Sequence, residues 1–119
     1  MDTDTILDHY ITAALWSSTD ENGTPLDRHH DADDLASETR EQMRVDVCAF
    51  VESVKESGLD VSAISDEQMG HDFWLTRNHH GAGFWDRGWE GLGDSLTTIA
   101  QSYGSFDLYI GDDWLIYGS

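Results

Sequence analysis

The chain alternates between stretches in which apolar residues recur at helical spacing and stretches rich in turn-forming residues. Apolar residues three or four positions apart predict three main helices. These predicted helices cover residues 5–16, 35–57 and 93–103. In the second of them, one apolar stripe consists of Met43, Val47, Phe50, Val51 and Val54. Gly58 follows this stripe, as is typical of a helix end, and the polar span 17–34, which contains the only proline, predicts a loop.

Strand-forming residues concentrate in the second half of the chain. Ser65, with Gln68 three positions later, first predicts the start of a short helix through Met69. A hairpin is then predicted for 73–78 and 83–85 around a turn at 78–81, although a continuous helix through Trp74 is a competing interpretation. A second hairpin is predicted for 106–110 and 114–117. The order of elements predicts a single α+β domain over residues 1–119, with about three helices packed on a small antiparallel sheet of two hairpins.

Charge is the strongest feature of the composition. The 119 residues contain 24 Asp and Glu against 6 Lys and Arg, which gives a formal net charge of −18. Such a surface repels nucleic acid phosphates and attracts basic surfaces, so we expect no direct nucleic acid binding and a basic protein partner. The acidic surface of a halophile and the codon bias of a GC-rich genome are alternative explanations of the charge.

Three further features bear on the location of the protein. The single cysteine, Cys48, allows no intrachain disulfide, which suits a reducing cytoplasm. No apolar run approaches the roughly 18 residues of a membrane span, and the acidic N-terminus is unlike that of a signal peptide. We therefore expect a cytoplasmic protein without a membrane segment.

Four glutamates lie on the side of the 35–57 helix opposite its apolar stripe. At about 100° per residue they fall within about 60° of arc and extend over about 25 Å. With two preceding aspartates they form a predicted partner-binding acidic row, which consists of Asp33, Asp34, Glu38, Glu41, Glu52 and Glu56. A solvated helix face without a binding role is the alternative interpretation.

The segment 71–89 combines three Trp, two Phe, three His and two Arg. Arginines that clamp an anionic ligand, with tryptophans that stack on its ring, would make a nucleotide-like binding site. The predicted ligand site consists of Trp74, Arg77, Asn78, His79, His80, Trp85, Asp86 and Arg87. In the alternative interpretation the tryptophans are core residues and the arginines pair with carboxylates such as Asp72, Asp86 or Glu90.

Other chemistry for the same segment has weaker sequence signals. His71, His79, His80 and Asp86 are potential metal ligands, but their spacing matches no established zinc motif, so no metal or other cofactor is expected. Acid–base catalysis by a histidine in a glycine-containing loop is a further alternative. A protein-binding surface is the fourth, because Trp89 and Trp114 lie beside Gly and Asp residues, where partial exposure is expected.

Four stretches of the chain resemble a set of small acidic proteins encoded by bacteriophages, often of actinobacteria. These stretches are 13–20 (AALWSSTD), 70–78 (GHDFWLTRN), 81–87 (GAGFWDR) and 109–113 (YIGDD). The resemblance implies a phage gene product that acts in a bacterial cytoplasm, and it transfers no catalytic or binding residue. Small acidic phage proteins are often host-takeover or counter-defence factors, and some of them imitate the charge of DNA.

The leading hypothesis is a non-enzymatic phage accessory protein that binds the basic surface of a host protein. Its most specific form is a DNA mimic that occupies the nucleic-acid groove of a nuclease, a restriction enzyme or a CRISPR complex. The alternatives are a nucleotide-binding protein or small enzyme that uses the 77–87 segment, and a virion or assembly component.

Overall fold

Four α-helices and one β-hairpin form the described part of the computed structural model, which covers residues 1–80, 82–89 and 91–119. The helices are α1 (Thr3–Ser17), α2 (Ser37–Ser57), α3 (Asp66–Arg77) and α4 (Leu92–Gln101). The strands are β1 (Leu108–Ile110) and β2 (Ile116–Gly118), and 3-10 turns occupy Leu26–Arg28, Ala32–Asp34 and Phe84–Asp86. Gly81, at the end of the predicted first turn, and Glu90, one of the predicted arginine partners, lie outside the described residues.

The helices α1, α2 and α4 confirm the sequence prediction to within a few residues. The apolar stripe of α2 is buried along its whole length. Gly58 ends this helix at φ 73°, a left-handed conformation that glycine adopts without a steric penalty. Asp2 begins α1 by accepting a hydrogen bond from the Asp4 amide at 3.2 Å. Local signals are therefore sufficient to define these elements.

The first predicted hairpin is wrong, and the competing helix interpretation is right. Ser65 accepts a hydrogen bond from the Gln68 amide, and α3 then continues to Arg77, well beyond the short helix predicted through Met69. Five consecutive residues, from Phe73 to Arg77, are buried. A helix that is buried on nearly every side has no polar face, so its sequence lacks the 3.6-residue period and resembles a strand. The stretch predicted as the second strand, 83–85, instead enters a 3-10 turn.

The second predicted hairpin is confirmed over a shorter range. Tyr109 pairs with Tyr117 at the centre of an antiparallel ladder of three residue pairs. The hairpin is attached to the start of α2, because Leu35 forms a parallel bridge with Ile116 and the Ala36 amide donates to the Ile116 carbonyl at 3.0 Å. With one hairpin in place of two, the described chain is a helix-dominated α+β fold.

The core is built around aromatic rings at the crossing of the helices. Phe50 of α2 stacks on Phe73 of α3 with ring centroids 4.1 Å apart, and Tyr10 of α1 stacks on the same ring at 5.2 Å. Helices α1 and α3 approach so closely at Gly70 that an added Cβ would lie 2.8 Å from the Tyr10 amide nitrogen. The bulky rings and the small glycine therefore position α3 between its neighbours.

Candidate functional site

Arg77, predicted as an anion clamp, is buried and directed into the fold. Its guanidinium donates to the Tyr10 hydroxyl at 2.9 Å and to the Asp46 carboxylate at 2.8 Å. It also donates to the carbonyls of Tyr103 and Gly104 at 3.1 and 2.8 Å. Only 4% of its side chain is exposed. Arg77 thus connects α1, α2 and the end of α4 to α3, and its donors are directed toward the protein rather than toward a ligand.

The second arginine of the segment is also held by a carboxylate. Asp72 is completely buried, and it accepts two hydrogen bonds from Arg87, at 2.8 and 3.0 Å. This hydrogen bonding raises the pKa of Arg87. The His71 ring nitrogen Nδ1 lies 3.2 Å from the same carboxylate. A ligand that drew Arg87 away would leave the Asp72 carboxylate without this cation in a low-dielectric interior. Redirecting Arg87 toward a ligand is therefore costly.

The remaining residues of the predicted ligand site divide between the interior and the surface. Trp74 is buried and its indole nitrogen donates to the Ser17 hydroxyl at 2.7 Å. The Asn78 side chain accepts from the Phe106 amide at 2.8 Å. His80 is half-buried, and the exposed members are His79, Trp85 and Asp86. The structure therefore gives Trp74, Arg77, Asn78 and Arg87 structural contacts. It leaves His79, Trp85 and Asp86 at the surface.

The glutamates of the predicted acidic row are all exposed on α2. Glu41 is paired, since its carboxylate accepts a hydrogen bond from the Arg44 Nε at 3.0 Å, and this bond lowers the pKa of Glu41. Within residues 1–80, 82–89 and 91–119, Glu38, Glu52 and Glu56 take part in no salt bridge. These three carboxylates are thus the part of the row on α2 that a partner can reach without displacing a cation of the protein.

The two aspartates of the row precede α2 in a 3-10 turn. Asp33 is exposed, whereas Asp34 is half-buried and lies 3.3 Å from the His30 ring nitrogen Nδ1. Leu35, next in the chain, pairs with Ile116. The acidic row therefore begins directly beside the hairpin.

The hairpin carries exposed aromatic side chains. Trp114 is 74% exposed and Tyr109 is 51% exposed. Tyr109 stacks on Tyr117 with ring centroids 6.0 Å apart. The Tyr117 hydroxyl donates to Asp113 at 2.6 Å, which raises the pKa of Tyr117 to about 12 and lowers that of Asp113. Sequence analysis marked Trp114 as a residue expected to be partly exposed but missed Tyr109, because strand pairing decides which side of the hairpin its ring occupies.

Two grooves flank the hairpin. One, of about 570 Å³, separates it from α2 and is lined by residues that include Glu38, Asp46 and Tyr117. The other, of about 550 Å³, lies between the hairpin and the loop that follows α1, and we call it the hairpin groove. Tyr109 lines both grooves. Exposed aromatic rings, acidic side chains and concave surfaces therefore occur together at this end of α2.

Two structural observations and three comparisons with known proteins bear on the class of protein. Across the three described ranges, no helix is long and apolar enough to cross a membrane. Among the same residues, no three His, Cys, Asp or Glu side chains lie together as a metal site would require. Searches of protein-family models, curated proteins and solved structures found no significant match to this chain. The chemistry of the acidic row and the hairpin is thus the basis for assigning a function.

Proposed function

We propose that this protein is a non-enzymatic binding protein whose acidic row and aromatic hairpin bind the basic surface of a partner protein. The observation that carries the proposal is the junction itself, where the accessible carboxylate of Glu38 at the start of α2 lines a groove together with Tyr109, which is 51% exposed. Charges steer a partner over long range, and aromatic side chains supply the contact energy at short range. A solvated helix face would explain the carboxylates but not the neighbouring exposed rings.

The partner surface that fits best is one that otherwise holds nucleic acid. From Glu38 to Glu56 the row extends over about 27 Å at about 1.5 Å per residue. One strand of B-DNA places about eight phosphates along that length, at about 3.4 Å each. The three glutamates of α2 that take part in no salt bridge among the described residues give less than half of that charge density, so the aromatic hairpin must contribute the remaining affinity. The resemblance to phage proteins suggests that the partner is a host defence factor.

The small-molecule alternative is less well supported by the geometry. A ligand bound by Arg87, whose side chain is 31% exposed, would compete with the fully buried Asp72, and a buried carboxylate left without its cation is destabilising. Arg77 is equally occupied, by Asp46 and Tyr10. Both arginines are therefore better explained by the stability of the fold than by recognition of an anion.

The test is capture of partners from an actinobacterial lysate at low and high salt. At about 50 mM salt, where screening is weak, we expect the wild type to retain a nucleic-acid-binding protein, and at about 500 mM salt to lose it. The variant Glu52→Lys/Glu56→Lys reverses two accessible charges and should abolish capture with little change in melting temperature. Glu41 is unsuitable for this test because its charge is already paired with Arg44.

A matched control separates the acidic row from net charge. Asp8→Lys/Glu67→Lys changes the net charge by the same amount at exposed positions on α1 and α3, outside both the row and the hairpin. We expect this control to keep most of the capture. If both double variants lose the partner equally, or if Glu52→Lys/Glu56→Lys retains it, the row is only a solubilising face and the proposal fails.

A further inference from the structure

The hairpin groove is formed by two segments from opposite ends of the chain. One wall belongs to the loop after α1 and contributes Asp20, Glu21 and His29. The opposite wall belongs to the hairpin and contributes Tyr109, Asp112 and Trp114. Among the described residues that line it, three are carboxylates, and none is Lys or Arg. The groove thus combines aromatic surface with three carboxylates, and two histidines, His29 and His30, also line it.

The loop that forms the first wall has defined local structure. The Asp20 carboxylate accepts hydrogen bonds from the amides of Asn22 and Thr24, at 2.9 and 3.0 Å. Thr19 forms an antiparallel bridge with Pro25, which closes the loop at its base. The loop is therefore held in place by its own backbone contacts, and the groove exists before a ligand enters.

Trp114 has a backbone conformation that a bulky residue rarely adopts. Its φ is 67°, in the left-handed region that Gly and Asn occupy most easily and bulky residues rarely occupy. The side chain is 74% exposed, so burial recovers little of this conformational penalty. The hairpin turn accounts for the left-handed conformation, because the Trp114 amide donates to the Gly111 carbonyl at 3.0 Å. The use of an exposed tryptophan at a position that Gly or Asn fits more easily favours a binding role for its ring.

We propose that the hairpin groove binds an arginine side chain from an extended segment of the partner protein. A guanidinium stacks on an indole ring and donates hydrogen bonds to neighbouring carboxylates in its plane, which the compact ammonium of lysine does less well. Phosphate-bearing ligands are repelled by the carboxylate rim. The inference deepens the proposed function, since it rests on a basic partner and names the side chain that the partner inserts.

The experiment uses a blocked glycine-rich pentapeptide with one central arginine as the probe. Its neutral match replaces the arginine with citrulline, which keeps the shape and removes the charge. In ¹H–¹⁵N spectra of the full-length protein at low salt, we expect the Trp114 indole signal to shift saturably with the arginine peptide. The citrulline peptide should bind at least about fivefold more weakly, the ratio expected from an exposed cation–π contact with nearby carboxylates.

Variants assign the binding to the groove. Trp114→Ala should abolish the saturable shifts of the groove residues, and Asp112→Asn should weaken binding about threefold through the loss of one carboxylate. Trp85→Ala is the matched control, because Trp85 is 50% exposed but does not line the groove. Trp114→Asn is a second variant that relieves the left-handed strain, so it should raise the melting temperature and still lose binding.

Several results would overturn the inference. Equal binding of the citrulline peptide, no saturable shift, or an equal loss in Trp85→Ala would each exclude charge-dependent recognition in this groove. Equal shifts with putrescine would assign the groove to small cations, and self-association lost in Trp114→Ala would assign it to a second copy of this chain.

If only the peptide fails while Glu52→Lys/Glu56→Lys still abolishes capture, the groove inference fails and the proposed function stands. If the peptide binds but neither salt condition captures a partner, the groove binds arginine and the proposed function fails.

Discussion

Replacement of Arg77 by methionine is the substitution for which the structure predicts the largest loss of stability. The change removes four hydrogen bonds and leaves the Asp46 carboxylate, whose side chain is 14% exposed, without its cation. It also removes the donor to the hydroxyl of Tyr10, a residue that is 0% exposed. Breaking a buried ion pair by removing one partner costs about 3–5 kcal/mol.

This cost is large relative to the stability of a domain of this size. The free energy of unfolding of native domains is about 5–15 kcal/mol, so the variant should lose a substantial fraction of it. With an m-value of about 1.5 kcal/mol/M, the midpoint of urea unfolding should fall by about 2–3 M. Tryptophan fluorescence and far-ultraviolet circular dichroism should report the same transition in the wild type and in the variant.

A second arginine provides the matched control. Arg44→Met removes the exposed pair with Glu41, which should contribute only about 0–1 kcal/mol despite its short contacts. The double variant Arg77→Met/Asp46→Leu should recover part of the loss, because it no longer leaves a carboxylate unpaired. If Arg77→Met costs no more than Arg44→Met, the network around Arg77 is not the structural connection that we infer.

Three other predictions follow from local geometry. Gly70→Ala should destabilise the protein by about 2 kcal/mol or more in urea unfolding, since the new Cβ would meet the backbone of α1; helix propensity alone would stabilise it by about 1 kcal/mol, so the sign of the change is decisive. Thr39→Val should raise the free energy of unfolding by about 1 kcal/mol in the same assay, because the buried Thr39 hydroxyl has no partner among the described residues; a loss of stability would indicate a partner for it. The phenol absorbance assigned to Tyr117, by difference from Tyr117→Phe, should titrate near pH 12 and move toward 10 in Asp113→Asn. Since the folded pKa of Tyr117 is raised, its stabilising contribution is complete below pH 10 and is lost as the pH rises from 10 to 12; an unchanged titration in Asp113→Asn would contradict the hydrogen bond.

The sequence by itself determined the elements whose signals are local. The apolar stripe of α2, the glycine that ends it and the turn of the C-terminal hairpin depend on residues within a few positions of one another, and the structure confirms all three. The exposure of the four glutamates follows from the same helical period, because residues opposite a buried stripe face solvent.

The tertiary structure alone decided the nature of α3 and of the arginine-rich segment. Helix α3 is surrounded by other elements, so burial on nearly every side removed the period that distinguishes a helix from a strand. The partner of Arg77 lies 31 positions away in the chain and that of Arg87 lies 15 away, so no local pattern predicts either pairing. The hairpin groove is likewise assembled from the loop after α1 and the hairpin near the C-terminus. Its chemistry depends on which side chains the fold brings face to face, and sequence spacing carries no information about that.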